Sequence, residues 1–267
     1  MAIRVGTSGF SYKEWKPIFY PPDLPESRFL SYYATRFDAV EIDSTFYRMP
    51  TPKSLDAWQQ AAPEHFRFAI KASQRITHRE RLAAPSESVG YMLGLLERLG
   101  ARLGVVLYQL PPNFRQDLSR LEAFLGALPP SPRSALEFRH VSWFTEETYR
   151  LLEKHGVALC INDNDEFDCP HELTAKHSYV RLRREAYAPE ERALWKERFR
   201  AFEAKGVEVF AFIKHKDNPE APLIALDFAS GFSSPVGAAA SRCGTPEGVE
   251  HPEGWDLPGS SRAPRLG

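Results

Sequence analysis

Cysteine is scarce and neither sign of charge prevails, and each shortage narrows what the chain can be. Cys160, Cys169 and Cys243 are three thiols in 267 residues. That odd, small number argues against a disulfide framework and for a reducing compartment. Lys+Arg 34 against Asp+Glu 35 leaves a formal net charge of -1, so nothing draws the whole molecule to nucleic acid or an anionic membrane, although a local basic pocket stays open. No uninterrupted apolar run approaches the ~20 residues of a membrane span. Met1–Gly6 lacks the basic-then-apolar order of a signal peptide, and the expected location is the cytoplasm. No H-x-H, H-E-x-x-H or C-x-x-C spacing occurs, so neither a metal nor a cofactor is expected.

Hydrophobic residues at 43% and aromatic residues at 12% suffice for a sizeable core. Alternation places strands at Ile3–Gly6, Ala39–Asp43, Phe66–Lys71, Val157–Ile161, Tyr179–Leu182 and Val207–Ile213, with a further one opening Ala135–Trp143. Leu103–Gln109 is a nearly continuous apolar run, as in a strand covered on both faces. Between them lie helical patterns. Thr51-Pro52 and Thr145 read as N-terminal caps, and Gly100, Gly156 and Gly206 as helix ends. The connection 164–178 is polar, with only a weak helix signal. Eight strands with mostly helical crossovers imply an α/β chain folded as a (β/α)8 TIM-barrel-like single domain over residues 1–228. A doubly wound sheet is the runner-up, without the G-x-G-x-x-G that usually supports it. Residues 229–267, rich in Gly, Pro and Ser, read as a disordered tail. Only Pro219–Phe228 remains for an eighth helix.

In a barrel the reactive face is at the C-terminal strand ends. Read in turn, those ends carry Thr7 and Ser8, Glu41 and Asp43, Lys71, Gln109, Glu137 with Arg139, Asn162 with Asp163, Arg181, and Lys214 with His215. Parity turns Glu41, Lys71, Glu137, Arg139 and Arg181 inward, while Arg4 shares that parity at the opposite end and closes the floor. A purely structural ion-pair network is the bland alternative. Three chemistries fit the set. Glu41 and Glu137 suit a general acid and base. Lys71 suits a Schiff-base nucleophile, although a lysine among carboxylates is more often a salt-bridge partner. Lys71, Arg139 and Arg181 with Thr7-Ser8-Gly9 suit an anion clamp. Tyr47 and Trp143 follow strand ends and offer walls for a flat ring, and His78 lies in a polar loop after the third strand.

The motifs G-T-S-G-F-S-Y-K-E-W (Gly6–Trp15), V-E-I-D-S-T-F-Y (Val40–Tyr47), I-T-H (Ile76–His78), Q-L-P-P-N-F (Gln109–Phe114), E-F-R-H-V-S-W (Glu137–Trp143) and Y-V-R-L (Tyr179–Leu182) resemble those of the domain of unknown function 72 family. The resemblance runs in order over about Ile3–Phe228. It implies a TIM-barrel-like fold and supplies no reaction. Many members follow Y-V-R-L with His-Gly, where this chain has Arg183-Arg184, and the family's last helix is not recognisable beyond Asp227.

The resulting expectation is a metal-independent enzyme, a hydrolase among the options, acting on a small anionic, phosphate-bearing molecule. Its catalytic candidates are Glu41, Glu137, Lys71 and Asp163. Its binding candidates are Thr7, Ser8, Tyr47, His78, Gln109, Arg139, Trp143 and Arg181. A non-catalytic module for nucleotides or single-stranded nucleic acid, and a metal-dependent phosphodiesterase, stand as alternatives.

Overall fold

A computed structural model of the chain describes residues 2–84, 86–214 and 218–232. Eight parallel strands close into a barrel in sequence order: β1 (Ile3–Ser8), β2 (Ala39–Ile42), β3 (Arg67–Lys71), β4 (Leu103–Gln109), β5 (Arg133–Glu137), β6 (Ala158–Asp163), β7 (His177–Leu182) and β8 (Glu208–Lys214). Around them run α1 (Phe29–Tyr33), α2 (Pro52–Ala61), α3 (Glu87–Leu96), α4 (Leu118–Ala127), α5 (Glu146–Lys154), α6 (Pro189–Ala204) and α7 (Ala221–Ala229). The chain is therefore a (β/α)8-type barrel in which the β6–β7 crossover carries no helix. The disorder expected for 229–267 falls almost wholly outside the described residues, as do His215, Lys216 and Cys243.

Local chemistry explains the element ends. The Thr51 hydroxyl accepts the Ser54 N–H at 3.1 Å at the start of α2. Thr145 does the same for Thr148 at 3.4 Å before α5. Each satisfies an N–H that the first helical turn leaves orphaned. Gly156 and Gly206 take positive φ just past α5 and α6, where other residues would be strained. The short segment that remained for a last helix, Pro219–Phe228, supplies α7, with Ala221, Ala225 and Phe228 buried. It packs on β1 and β8 and is tied to α6 by Arg192 and Lys196, both donating to Asp227 at 2.9 Å. The barrel thus closes with its outer layer in place at the last strand.

Two apolar clusters lie on opposite sides of the sheet. Val40, Phe68, Val106, Leu136, Ile161 and Val180 pack outward under the helices. Ala69, Leu107, Cys160, Tyr179, Phe210 and Phe212 fill the lumen. Strand parity decides the side for every residue, because successive side chains alternate across a strand. At the lower end of the lumen, Glu208 accepts from Arg4 at 2.8 Å and from Arg133 at 2.5 Å, so three strands are pinned by one carboxylate.

The β1–β2 joint differs from the others. One register pair, Ser8 with Glu41, is recorded there, and the Tyr33 hydroxyl of α1 occupies the gap. It accepts the Thr7 N–H at 2.8 Å and lies 3.3 Å from the Ala39 carbonyl oxygen. A Cβ on Gly6 would fall 2.1 Å from that same carbonyl oxygen and 3.0 Å from the hydroxyl. Gly6→Ala should therefore lower the melting temperature by roughly 10 °C or prevent folding, since a backbone overlap of this size costs several kcal/mol. Tyr33→Phe should cost about 1–3 kcal/mol by stranding the Thr7 N–H. Thermal unfolding followed by circular dichroism checks both, and a wild-type melt for Gly6→Ala would show that the joint relaxes freely.

Candidate functional site

At the C-terminal ends of the strands the lumen holds two tiers of charge. The lower tier is buried. Arg181 of β7, 1% exposed, donates from Nη2 to Glu41 at 2.8 Å and from Nη1 to Glu137 at 2.7 Å. Its Nη1 also lies 3.2 Å from Gln109 Oε1. Glu41 further accepts from Ser8 Oγ at 2.5 Å and from the Tyr179 hydroxyl at 2.7 Å. Glu137 accepts from Asn162 Nδ2 at 3.2 Å and from Arg139 Nη1 at 3.1 Å. Six strands converge on one cation and two anions. Such a cluster is tolerable in a dry interior because each carboxylate oxygen meets at least one donor.

The electrostatics follow. Burial by itself would raise both carboxyls. The Arg181 charge and the hydrogen bonds of Ser8 and Tyr179 outweigh it at Glu41, which is lowered. At Glu137 burial is outweighed by Arg181, Arg183 and Arg139, which bring it down to about 2. A carboxylate held that low stays ionised at neutral pH and is a weak proton acceptor. Glu41 and Glu137, expected as acid and base, both lie against Arg181, and both are lowered.

The upper tier is half-buried: Asp43, Lys71, His78, Arg139, Arg183 and Lys214. Burial lowers Lys71 first and the Arg181 charge lowers it further, to about 8, against the pull of Glu137, Glu41 and Asp43. Arg183 is lowered by burial and then by Arg181 and Arg139. Lys214 is lowered by burial and then by Arg183 and Arg181. Asp43 is raised, by burial first and the Glu41 charge second. The Lys71 ammonium sits 4.2 Å from the centre of the Phe46 ring. Phe46 also meets His78 and Tyr47 edge-on, each with ring centres 4.9 Å apart. Tyr47 itself is 77% exposed at the rim. Its position follows from the 3-10 turn Ser44–Phe46, anchored where Thr45 Oγ1 donates to the Lys71 carbonyl at 2.6 Å.

Three candidates lie elsewhere. Thr7 has the outward parity of β1, and its hydroxyl donates to the Gly9 carbonyl at 2.6 Å beneath Tyr33. Trp143 is fully buried in the outer apolar layer, stacked on Phe138 and donating to the Phe114 carbonyl at 2.7 Å. Asp163, one residue past inward-facing Asn162, turns outward and accepts from Arg184 at 2.8 Å and Trp195 at 3.0 Å. It lines a side cavity of about 370 Å³ where the β6–β7 helix is missing. Conversely, Tyr179 and Arg183 belong to the mouth without standing out in the sequence, and Asp43, Asn162 and Lys214, which the sequence offers only as strand-end residues, join them there. Parity with Arg181 was the signal for Tyr179 and Arg183. Among the described residues no group of three His, Cys, Asp or Glu is arranged to hold a metal ion, and no helix is long and apolar enough to cross a membrane.

Residues 4–246 match the family described as "Protein of unknown function DUF72", a span that runs past the boundary expected at 228. The chain is 31% identical over 167 residues to UPF0759 protein YunF of Bacillus subtilis (strain 168), covering 58% of each chain. It is 32% identical over 168 residues to UPF0759 protein YecE of Escherichia coli (strain K12), covering 61% of this chain and 59% of the relative. The matched stretch therefore spans less than two thirds of these relatives' length. A solved DUF72 family protein from Thermotoga maritima MSB8 superposes with a TM-score of 0.77 at 29% identity, over 86% of this chain and 98% of that one.

Two outcomes test the tiers. Glu137, lowered from 4.5 to about 2, contributes stability that is present above about pH 4.5 and lost as pH falls toward 2. Glu137→Gln should flatten that acid limb and cost about 3–5 kcal/mol at neutral pH by leaving Arg181 half-paired. Lys71 has the opposite sign. Its lowered value means that the cost of the buried charge is full below about pH 8 and disappears as pH rises toward 10.5. Lys71→Met should raise stability at pH 7 by about 1 kcal/mol or more, roughly 2–4 °C in Tm. A lower Tm for Lys71→Met would show that the ammonium is a structural partner after all.

Proposed function

The chain belongs to the DUF72 family, a membership that brings a barrel and no reaction, and we propose that its mouth binds a small anionic, phosphate-bearing molecule and acts on it as an enzyme. The observation that carries this reading is the convergence of Lys71, Arg139, Arg183 and Lys214 above two glutamates and Arg181; Arg139 is braced by Glu137 and Glu166, while Lys71 and Lys214 form no ion pair among the described residues. Lys71, Arg183 and Lys214 are each lowered in part by neighbouring cations. An anion placed among them relieves that repulsion and gains charge-assisted hydrogen bonds. Arg181, with both Nη atoms engaged and 1% exposure, supports the site from below and does not grip the ligand.

Proton transfer would fall to the upper tier. Lys71, lowered to about 8, and Asp43, raised, are both shifted toward neutral, whereas both glutamates are shifted away from it, and a catalytic group works best when its pKa lies near the working pH. The reaction needs no metal in this reading, and the expected setting is the cytoplasm. A second reading rests on Tyr47, whose exposed ring beside Phe46 and Lys71 suits stacking on a base. It makes the mouth a non-catalytic site for nucleotides or single-stranded nucleic acid.

Inorganic phosphate and a panel of phosphate monoesters, at ~10 mM, should raise Tm in proportion to the logarithm of concentration. Arg183→Ala should weaken the apparent affinity by about tenfold or more, the loss expected for one charge-assisted bond. Binding should also weaken as pH rises through about 8, where Lys71 loses its proton. No shift with any phosphate compound would sink the clamp. Salt-sensitive binding of oligonucleotides without turnover of monoesters would favour the second reading.

A further inference from the structure

A lysine at the edge of a buried acidic pair normally ends as the third member of an ion-pair network, and such a lysine is a poor nucleophile because its lone pair is held by a proton. Lys71 sits beside two buried glutamates and escapes that fate. Both glutamates are taken by Arg181, with Ser8, Tyr179, Asn162 and Arg139 filling the remaining acceptor positions. Among the described residues Lys71 makes no ion pair within 4.0 Å and no side-chain hydrogen bond. Its recorded neighbour is the face of the Phe46 ring at 4.2 Å, an apolar wall that stabilises the cation only weakly and leaves the neutral amine unhindered. The Arg181 guanidinium stands below it as a second positive charge. An amine desolvated next to a fixed cation is the arrangement that activates lysine toward carbonyl carbon.

We propose that Lys71 is a catalytic nucleophile that forms an imine with the carbonyl group of an anionic substrate. The proposal rests on the anion clamp only for the non-reacting end of that substrate, which would lie toward Arg183 and Lys214. It narrows the substrate class to phosphate- or carboxylate-bearing aldehydes and ketones.

The step balances within the site. The Lys71 ammonium gives up one proton, relayed by solvent water in the open mouth to the Asp43 carboxylate, and the neutral Nζ attacks the carbonyl carbon. A C–N bond forms as the carbon–oxygen π pair moves to oxygen. One nitrogen proton then passes to that oxygen, giving a carbinolamine. Asp43 returns its proton to the hydroxyl, the C–O bond breaks, and water leaves. The product is the protonated imine, one positive charge as before, with no oxidant or reductant required. The raised proton affinity of Asp43 and the lowered one of Lys71 both favour the first transfer. A protonated imine is an electron sink for bonds at the neighbouring carbon, so the reactions within reach are proton shifts, aldol cleavage or condensation, and dehydration beside the carbonyl.

The test uses the full chain with pyridoxal 5′-phosphate, which carries both an aldehyde and a phosphate, followed by borohydride reduction and peptide mass mapping. The expected result is a reduced adduct at Lys71 that forms at pH 8 at least roughly tenfold faster than at exposed lysines such as Lys53 and Lys176, from the larger neutral fraction. Excess inorganic phosphate should slow it. Lys71→Arg removes the nucleophilic amine, so it should lose the fast adduct. Equal labelling rates at Lys71 and the exposed lysines, or a fast adduct that survives in Lys71→Arg, would overturn the proposal. Failure of the two readings is separable. A phosphate shift without a fast Lys71 adduct removes the imine and keeps the clamp. A fast adduct with pyridoxal and its phosphate alike, indifferent to added phosphate, keeps the imine and removes the clamp.

Discussion

Arg181 between Glu41 and Glu137 is the constraint on which the mouth of the barrel depends. Three charges more than nine-tenths buried would each be prohibitive alone, and together they are tolerable only in one geometry. That geometry draws on the far walls of the barrel at once: β2, β5 and β7 supply the charges, and β1, β4 and β6 supply the neutral donors and acceptor that finish the coordination. Because all of them must be in register for any to be satisfied, the cluster reports on closure of the whole sheet. A slip of one residue on any contributing strand would turn its polar group into the outer apolar layer.

The same cluster explains why the working chemistry is assigned one layer higher. Acidic side chains saturated with donors cannot change partners cheaply, so the lower tier acts as a fixed field, its dipoles oriented before any ligand arrives. The upper tier inherits the consequences. Lys71 is deprived of the carboxylates it would otherwise pair with, and Asp43 feels the negative charge of Glu41 without sharing its donors. Lys71 is thereby left with the Phe46 ring as its partner at the lumen end of β3.

Much of this was legible in the alternation of short segments. In A-V-E-I, R-F-A-I-K and Y-V-R-L the apolar partners Val40, Phe68 and Val180 declare the helix-facing side, which leaves Glu41, Lys71 and Arg181 nowhere to point except inward. The fold and the end of the barrel came from the same periodicity. Pairing was not legible, because which carboxylate Arg181 binds depends on distances across the lumen that no spacing encodes. Tyr179 hid because a tyrosine among strand residues reads as core, and only its hydroxyl on Glu41 reveals the second half of its role. Thr7 and Asp163 misled for the complementary reason: each adjoins an inward residue in a short polar stretch, and parity gave one seat to Ser8 and one to Asn162. Trp143 belonged to a motif but not to the mouth, since packing between Phe114 and Phe138 had a use for its whole ring. The short segment before residue 230 was all that remained for a closing helix, and it suffices because its small residues, Ala221 and Ala225, allow close approach to the sheet.

A cylinder of strands is no tighter than its loosest ladder, and in this one the loosest is the joint between first and second strands. There a side-chain hydroxyl stands in for backbone pairing, so the join is made by Tyr33, a residue of the outer layer, reaching through the wall. The start and the continuation of the chain are thereby laced together by α1, the short helix that lies between them in sequence. Any excursion that swings this helix outward would unbutton the cylinder along one edge while the other seven ladders hold. That joint ends at Ser8, the residue that carries this wall of the cylinder into the charged cluster.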